Sequence, residues 1–135
     1  MMDRKQIGRI GLSSAIHYFT VKGDTISLPI NDTQWYDLIV EKNGKFQTVQ
    51  CKATNSKDNS IDFRSTGGTR GKSYDSILNH NLDLLFCVDG KNNMFLIPLS
   101  DLRKAKNQRC IALRTEVSKL ANKDSFDTSR YLVHI

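Results

Sequence analysis

The chain has 135 residues, 39% of them hydrophobic and 25% charged, with 20 Lys and Arg against 14 Asp and Glu for a net charge of +6. That length suits one domain with a real core, and the basic balance points to a polyanionic partner, nucleic acid before a membrane surface. Cys51, Cys87 and Cys110 form no C-x-x-C pair, and the longest apolar run, "LLFCV", is too short to span a bilayer; these features argue against a zinc ribbon, a disulfide framework and a membrane protein.

Asp3 with Gln6 three residues on has the form of a capping box and predicts a helix over Arg4 to Lys22, closed by Gly23. Leu12, Ala15, Ile16 and Phe19 give that helix one apolar face. "TISLPI" reads as a strand ending near Pro29. "YDLIVEKNGKFQTVQCKA" is the clearest signal, two β-rich runs flanking Asn43-Gly44, whose tolerance of positive φ makes a tight hairpin turn. "SIDFRS" reads as a fourth strand. "LDLLFCV" and "MFLIPL" flank "DGKNN" as a second hairpin. Ser100 is placed to cap a short basic helix, "DLRKAKN". Residues from about 110 to 135 have no clear pattern and read as a C-terminal extension of a single 1–135 domain. The N-terminus carries charge with no apolar stretch behind it, so a cytoplasmic protein without a signal peptide is expected. The order implies an α/β (α+β) fold, a central sheet with flanking helices.

"STGGTRGKS" ends like a phosphate-binding loop at Gly71-Lys72-Ser73, but Thr66 stands where the first Gly is required and Gly67 comes one residue late. A nucleotide triphosphate is therefore not expected as a partner. The loop is a Gly, Ser and Thr segment with Arg64, Arg70 and Lys72, suited to approach a phosphate chain, or else an ordinary solvated loop. Arg103, Lys104, Lys106, Arg109 and Arg114 form a second basic stretch, open to the same two readings. His17, His80 and His134 have no Cys or His partner at metal-binding spacing.

In "TVQCKA" the alternation puts Val49 and Cys51 toward the core and Thr48, Gln50 and Lys52 on the other face. Asp37 interrupts the apolar run "WYDLIV", where a charge is costly unless used or paired. Read structurally, Asp37 and Lys52 are a cross-strand ion pair with Gln50 as a polar neighbour. Read chemically, an Asp, twelve residues, then Gln50-Cys51-Lys52, behind an N-terminal helix, resembles the PD-(D/E)XK nuclease superfamily. The Gln variant is similar to homing endonucleases encoded in cyanobacterial group I introns. The likeness runs from "GRIGLSSAIHYF" through "WYDLIV" and more loosely to "FLIPLSDL", about the first hundred residues.

That resemblance implies a restriction-endonuclease-like αβββαβ core with a mixed sheet. It implies a Mg²⁺- or Mn²⁺-dependent endonuclease cutting double-stranded DNA to leave a 5′-phosphate and a 3′-hydroxyl. Asp37, Gln50 and Lys52 are the implied catalytic residues. Asp37, Gln50 and the Cys51 carbonyl would hold the metal, and Lys52 would steer the attacking water and stabilise the transition state. Lys57, Arg64, Arg70, Lys72, Arg103 and Lys104 are candidate contacts to DNA. The superfamily usually places a Glu on the first helix where Leu12 stands here. Leu12 instead reads as core, with Asp32 the candidate to compensate. A homodimer or homotetramer follows if both strands are cut. A Holliday junction resolvase and a catalytically silent DNA-binding or nuclease-regulating module on the same fold are the alternative functions.

Overall fold

The computed structural model describes residues 2–31, 33–63, 76–104, 109–117 and 126–135. Helix α1 spans Arg4–Val21 and opens on the expected capping box, the Gln6 amide donating to the Asp3 carboxylate at 2.9 Å and the Asp3 amide to the Gln6 side chain at 2.8 Å. It closes on Gly23 at φ +85°, with the Gly23 amide on the Thr20 carbonyl and the Asp24 amide on that of Phe19.

Six strands form one mixed sheet in the order β1 (Thr25–Ser27), β2 (Leu38–Lys42), β3 (Lys45–Ala53), β5 (Leu84–Val88), β6 (Met94–Pro98) and β8 (Leu132–Val133). Among the described strands only β3 and β5 pair in parallel. β1 stops at Ser27, short of the expected Pro29, which has no N–H to offer a ladder. Asn43 at φ 52° and Gly44 at φ 78° make the predicted tight turn between β2 and β3. β5 is buried along its whole length, as a central strand covered on both faces must be. The second hairpin turns on Asp89, whose carboxylate accepts from the amides of Lys91 and Asn93 and from the Asn93 side chain.

Three further details differ from the sequence expectations. The fourth strand, β4 (Ser60–Asp62), is not in the main sheet; it pairs with β7 (Cys110–Ala112) in a separate ribbon. The tail is not an appendage, because β8 closes the β6 edge of the main sheet. Buried Thr128 holds it there, accepting from the Arg114 amide at 2.7 Å and donating to the Ala112 carbonyl at 3.1 Å. Helix α2 spans Leu99–Lys104, so Ser100 lies inside it and does not cap it.

Two apolar clusters sandwich the sheet. On one side Ala15, Tyr18 and Phe19 of α1 pack on Leu38, Val40, Val49 and Phe86, with Leu12, Ile16 and Cys51 at the margin. On the other, Leu85, Cys87, Phe95 and Ile97 meet Ile61 of β4, Ile111 of β7 and Leu102 of α2. No helix among the described residues is long and apolar enough to cross a membrane.

Gly11 sets how closely α1 lies on β3. A Cβ there would meet the Lys52 carbonyl carbon at 3.3 Å and the Ala53 Cβ at 3.4 Å. Gly11→Val is expected to destabilise the fold by about 1–3 kcal/mol through overpacking. Gly11→Ala should be near neutral, since about 1 kcal/mol of helix propensity offsets a contact that needs only a small shift. Urea unfolding of the two variants checks this.

Candidate active site

β3 runs with Val49, Cys51 and Ala53 toward α1, and Gln50 and Lys52 toward the opposite face beside their pairing partners Leu85 and Cys87. The alternation expected from "TVQCKA" is present. Lys52 and Gln50 therefore stand over a floor that includes two fully buried side chains, Leu85 and Cys87.

Asp37 reaches this strand through an irregularity at the start of β2. Leu38 pairs with Val49, yet the Asp37 amide also donates to the Val49 carbonyl, at 2.8 Å. Two residues thus face one, as at a β-bulge, a device that re-aims a side chain. The Asp37 carboxylate swings onto the Cys51 amide, which donates to Oδ2 at 2.7 Å. It takes the place that the Tyr36 carbonyl would fill if β2 ran two residues further in the same register.

Burial raises the Asp37 carboxyl above its ordinary value, and the Cys51 amide and the Lys52 charge oppose that rise. Lys52 acts also on Cys87, where burial pushes the thiol well up. The Cys51 thiol is raised as well, by burial and then by the neighbouring Asp37 and Cys87, so it stays protonated and is no thiolate ligand. What Cys51 can offer is its main-chain carbonyl, which leaves the strand on the same edge as the amide that Asp37 holds.

Asp37 and Lys52 form no direct ion pair; the described residues pair Lys104 with Asp101 at 3.9 Å, and Asp37 with the Cys51 amide instead. Among the described residues, Asp37 Oδ1 and the Gln50 side chain have no hydrogen-bond partner. One oxygen of a partly buried carboxylate, one amide oxygen and one peptide carbonyl make an all-oxygen donor set, which fits a hard divalent cation. No cluster of three His, Cys, Asp or Glu able to hold a metal exists among the described residues, so the set is poor in charge. Leu12 packs at the margin of the helix-side cluster, as its sequence suggested.

The remaining candidates fall into three groups. Lys57 and Lys104 are exposed, and Lys104 has only its surface pair with Asp101. Arg103 is engaged: its guanidinium donates to the carbonyls of Leu78, His80 and Leu82, tying that segment to α2. These bonds use Nε and Nη2 of a side chain that is otherwise exposed. Asp32, Arg64, Arg70 and Lys72 lie outside the described residues.

Two supports were not anticipated. Trp35 stacks on His80 with ring centroids 3.7 Å apart, pinning the approach to Asp37 against the far side of the sheet. Asp83 accepts from the Thr48 amide at 2.9 Å while the Thr48 hydroxyl accepts from the Asp83 amide at 3.1 Å, which locks β3 to the start of β5. The polar Thr48 beside an Asp just ahead of an apolar strand was the available signal; its partner, 35 residues away, was not readable locally.

A family model described as PD-(D/E)XK endonuclease matches residues 2–130. A solved structure of a bacterial homing endonuclease, I-Ssp6803I, aligns with a TM-score of 0.75 at 19% identity, over 97% of this chain and 89% of that one. Identity that low shows a shared fold. No curated protein matches.

Proposed function

The chain belongs to the PD-(D/E)XK endonuclease family, and on that footing we propose that it is a divalent-metal-dependent enzyme that cuts double-stranded DNA at a defined sequence. The observation that carries this reading is the Asp37 carboxylate, desolvated and held on the Cys51 amide, with Gln50 and Lys52 on one face of the same strand. A homing endonuclease with the same fold supports the sequence-specific form of the activity.

Asp37, Gln50 and the Cys51 carbonyl would hold Mg²⁺ or Mn²⁺. A bound ion of this kind polarises a phosphoryl oxygen and lowers the pKa of water. The chain's own residues do the rest. Lys52 presents a fixed positive charge where negative charge builds on the phosphoryl oxygens, over an apolar floor that strengthens its field. The Cys51 amide keeps the Asp37 carboxylate from turning away. Hydrolysis leaves a 5′-phosphate and a 3′-hydroxyl. One such site cuts one strand, so a double-strand break calls for a symmetric homodimer or homotetramer and a near-palindromic target. The place of action is the cytoplasm, on the cell's own DNA.

One observation favours a second reading. With Leu12 packed as core and Gln50 neutral, Asp37 is the sole carboxylate of the triad, as in a DNA-binding module that does not cut. Supercoiled plasmid and a four-way junction, each with Mg²⁺, with Mn²⁺ and with EDTA, separate these. Nicking or linearisation of plasmid with either metal, stopped by EDTA, is the expected outcome. Cleavage of the junction alone would make the protein a resolvase. DNA bound but intact in every arm, including DNA flanking the protein's own gene, would leave the silent module.

A further inference from the structure

The β2–β3 hairpin continues the row of side chains that carries Gln50 and Lys52 outward to Phe46 and ends in a basic pair, Lys42 and Lys45, at its tip. β3 is unbroken from Lys45 to Ala53, so Phe46, Thr48, Gln50 and Lys52 leave one face at alternate positions. Phe46 is 65% exposed, a large apolar side chain on the face that bears the site. Opposite it on β2 is the half-buried Glu41, and the exposed pair Lys42 and Lys45 closes the ribbon. The apolar cluster on this face takes its buried main-sheet residues from β5 and β6, and among the described residues it leaves the outer half of the hairpin uncovered.

We propose that this hairpin is a DNA-reading arm, with Phe46 and Glu41 facing base edges and Lys42 and Lys45 reaching the flanking phosphates. The proposal rests on the endonuclease reading above. A two-stranded ribbon fits the major groove, where an apolar side chain can meet a thymine methyl and a carboxylate can accept from the cytosine amino group. Phe46 lies four residues from Gln50 and six from Lys52, about 13–20 Å at the rise of a strand. Along B-DNA that is about 4–6 base pairs from the cut. Charge selects the occupant. A second copy docked symmetrically over the same tip would bring four ammonium groups together against two carboxylates, whereas DNA meets them with phosphates.

The test uses the full chain, a 30-base-pair duplex of random sequence and a library of duplexes randomised around the cleavage site. Lys42→Ala with Lys45→Ala is expected to reduce the slope of log affinity against log salt by about 1.8, the share of two phosphate contacts. Phe46→Ser should leave that slope unchanged, weaken binding to the preferred sequence about tenfold, and erase base preference about 4–6 pairs from the cut. All three side chains are exposed, so thermal melting should stay at the wild-type value. An unchanged salt slope in the double variant, with the wild type still binding duplex, overturns the arm and spares the endonuclease reading. A wild type that binds no duplex overturns both. A fall in particle mass by light scattering on Phe46→Ser, with DNA binding intact, would assign the face to a second copy and also overturn the arm.

Discussion

Replacing Lys52 by Met is expected to slow strand cleavage by about 10²–10³-fold while leaving the fold intact. The Met side chain keeps most of the apolar stem that lies over Leu85 and Cys87 and removes only the charge. That charge is placed by the backbone: Lys52 pairs with Cys87 in the parallel part of the sheet, and α1 lies so close at Gly11 that a Cβ there would meet the Lys52 carbonyl carbon at 3.3 Å. A cation held this way costs little reorganisation when the phosphoryl oxygens gain charge, which is why its loss is felt in the rate. Affinity for duplex should fall by no more than one phosphate contact contributes. Lys52→Arg is a sharper control. It retains the charge, but the planar guanidinium cannot occupy the place of a compact ammonium, so little of the rate should return. Cleavage at the wild-type rate by Lys52→Met would remove Lys52 from the chemistry.

The same variant should alter the titration of its neighbour. Lys52 lowers the Asp37 pKa, so without it the carboxyl rises further under the burial that already lifts it. The acid limb of any residual pH–rate profile is expected to move to higher pH. A merely structural lysine would not move that limb.

What could be read from sequence was the chemistry that acts between near neighbours. The Asp3–Gln6 cap, Gly23, the Asn43-Gly44 turn and the Asp89 turn each declare themselves within a few residues, and each is present. The alternation of "TVQCKA" carried the faces of β3 correctly for the same reason. β4 and β7 are three residues each and pair across some fifty positions of sequence, Ser60 with Ala112. Strands that short have almost no period to detect. β8 is shorter still, and only its contact with β6 makes it a strand. Arg103 shows a different limit. A basic run on a helix signals charge, but nothing in "DLRKAKN" discloses the three carbonyls that engage its guanidinium. The bulge at Asp37 was equally hidden, since an Asp inside an apolar run says that a charge is used and not how the backbone turns it.

Asp37 itself separates activity from stability. Asp37→Asn should cut the cleavage rate by about 10²–10³-fold, because the amide offers neutral oxygen where the site has its sole carboxylate of the triad. Stability should change the other way. Folding raises the Asp37 pKa above its ordinary 3.8, so between those two values the native state holds more protons than the unfolded chain. Stability therefore falls as pH rises through that window, and above it the protein carries the full cost of a desolvated anion. Asn does not titrate, yet its side-chain oxygen still accepts from the Cys51 amide. Asp37→Asn is thus expected to melt above the wild type at pH 7, with the gap closing as pH falls below the ordinary carboxylate range. Asp37→Ala removes the acceptor too and leaves the Cys51 amide without its partner, a loss of about 1–3 kcal/mol that persists at every pH. Melting curves for the three proteins at pH 3.5 and pH 7 give the answer. If Asn and Ala both destabilise equally at pH 7, the carboxylate is there to hold the strand. If Asn stabilises while cleavage is lost, the fold bears a half-buried charge that its packing alone would discard, and the phosphodiester chemistry is what that charge serves.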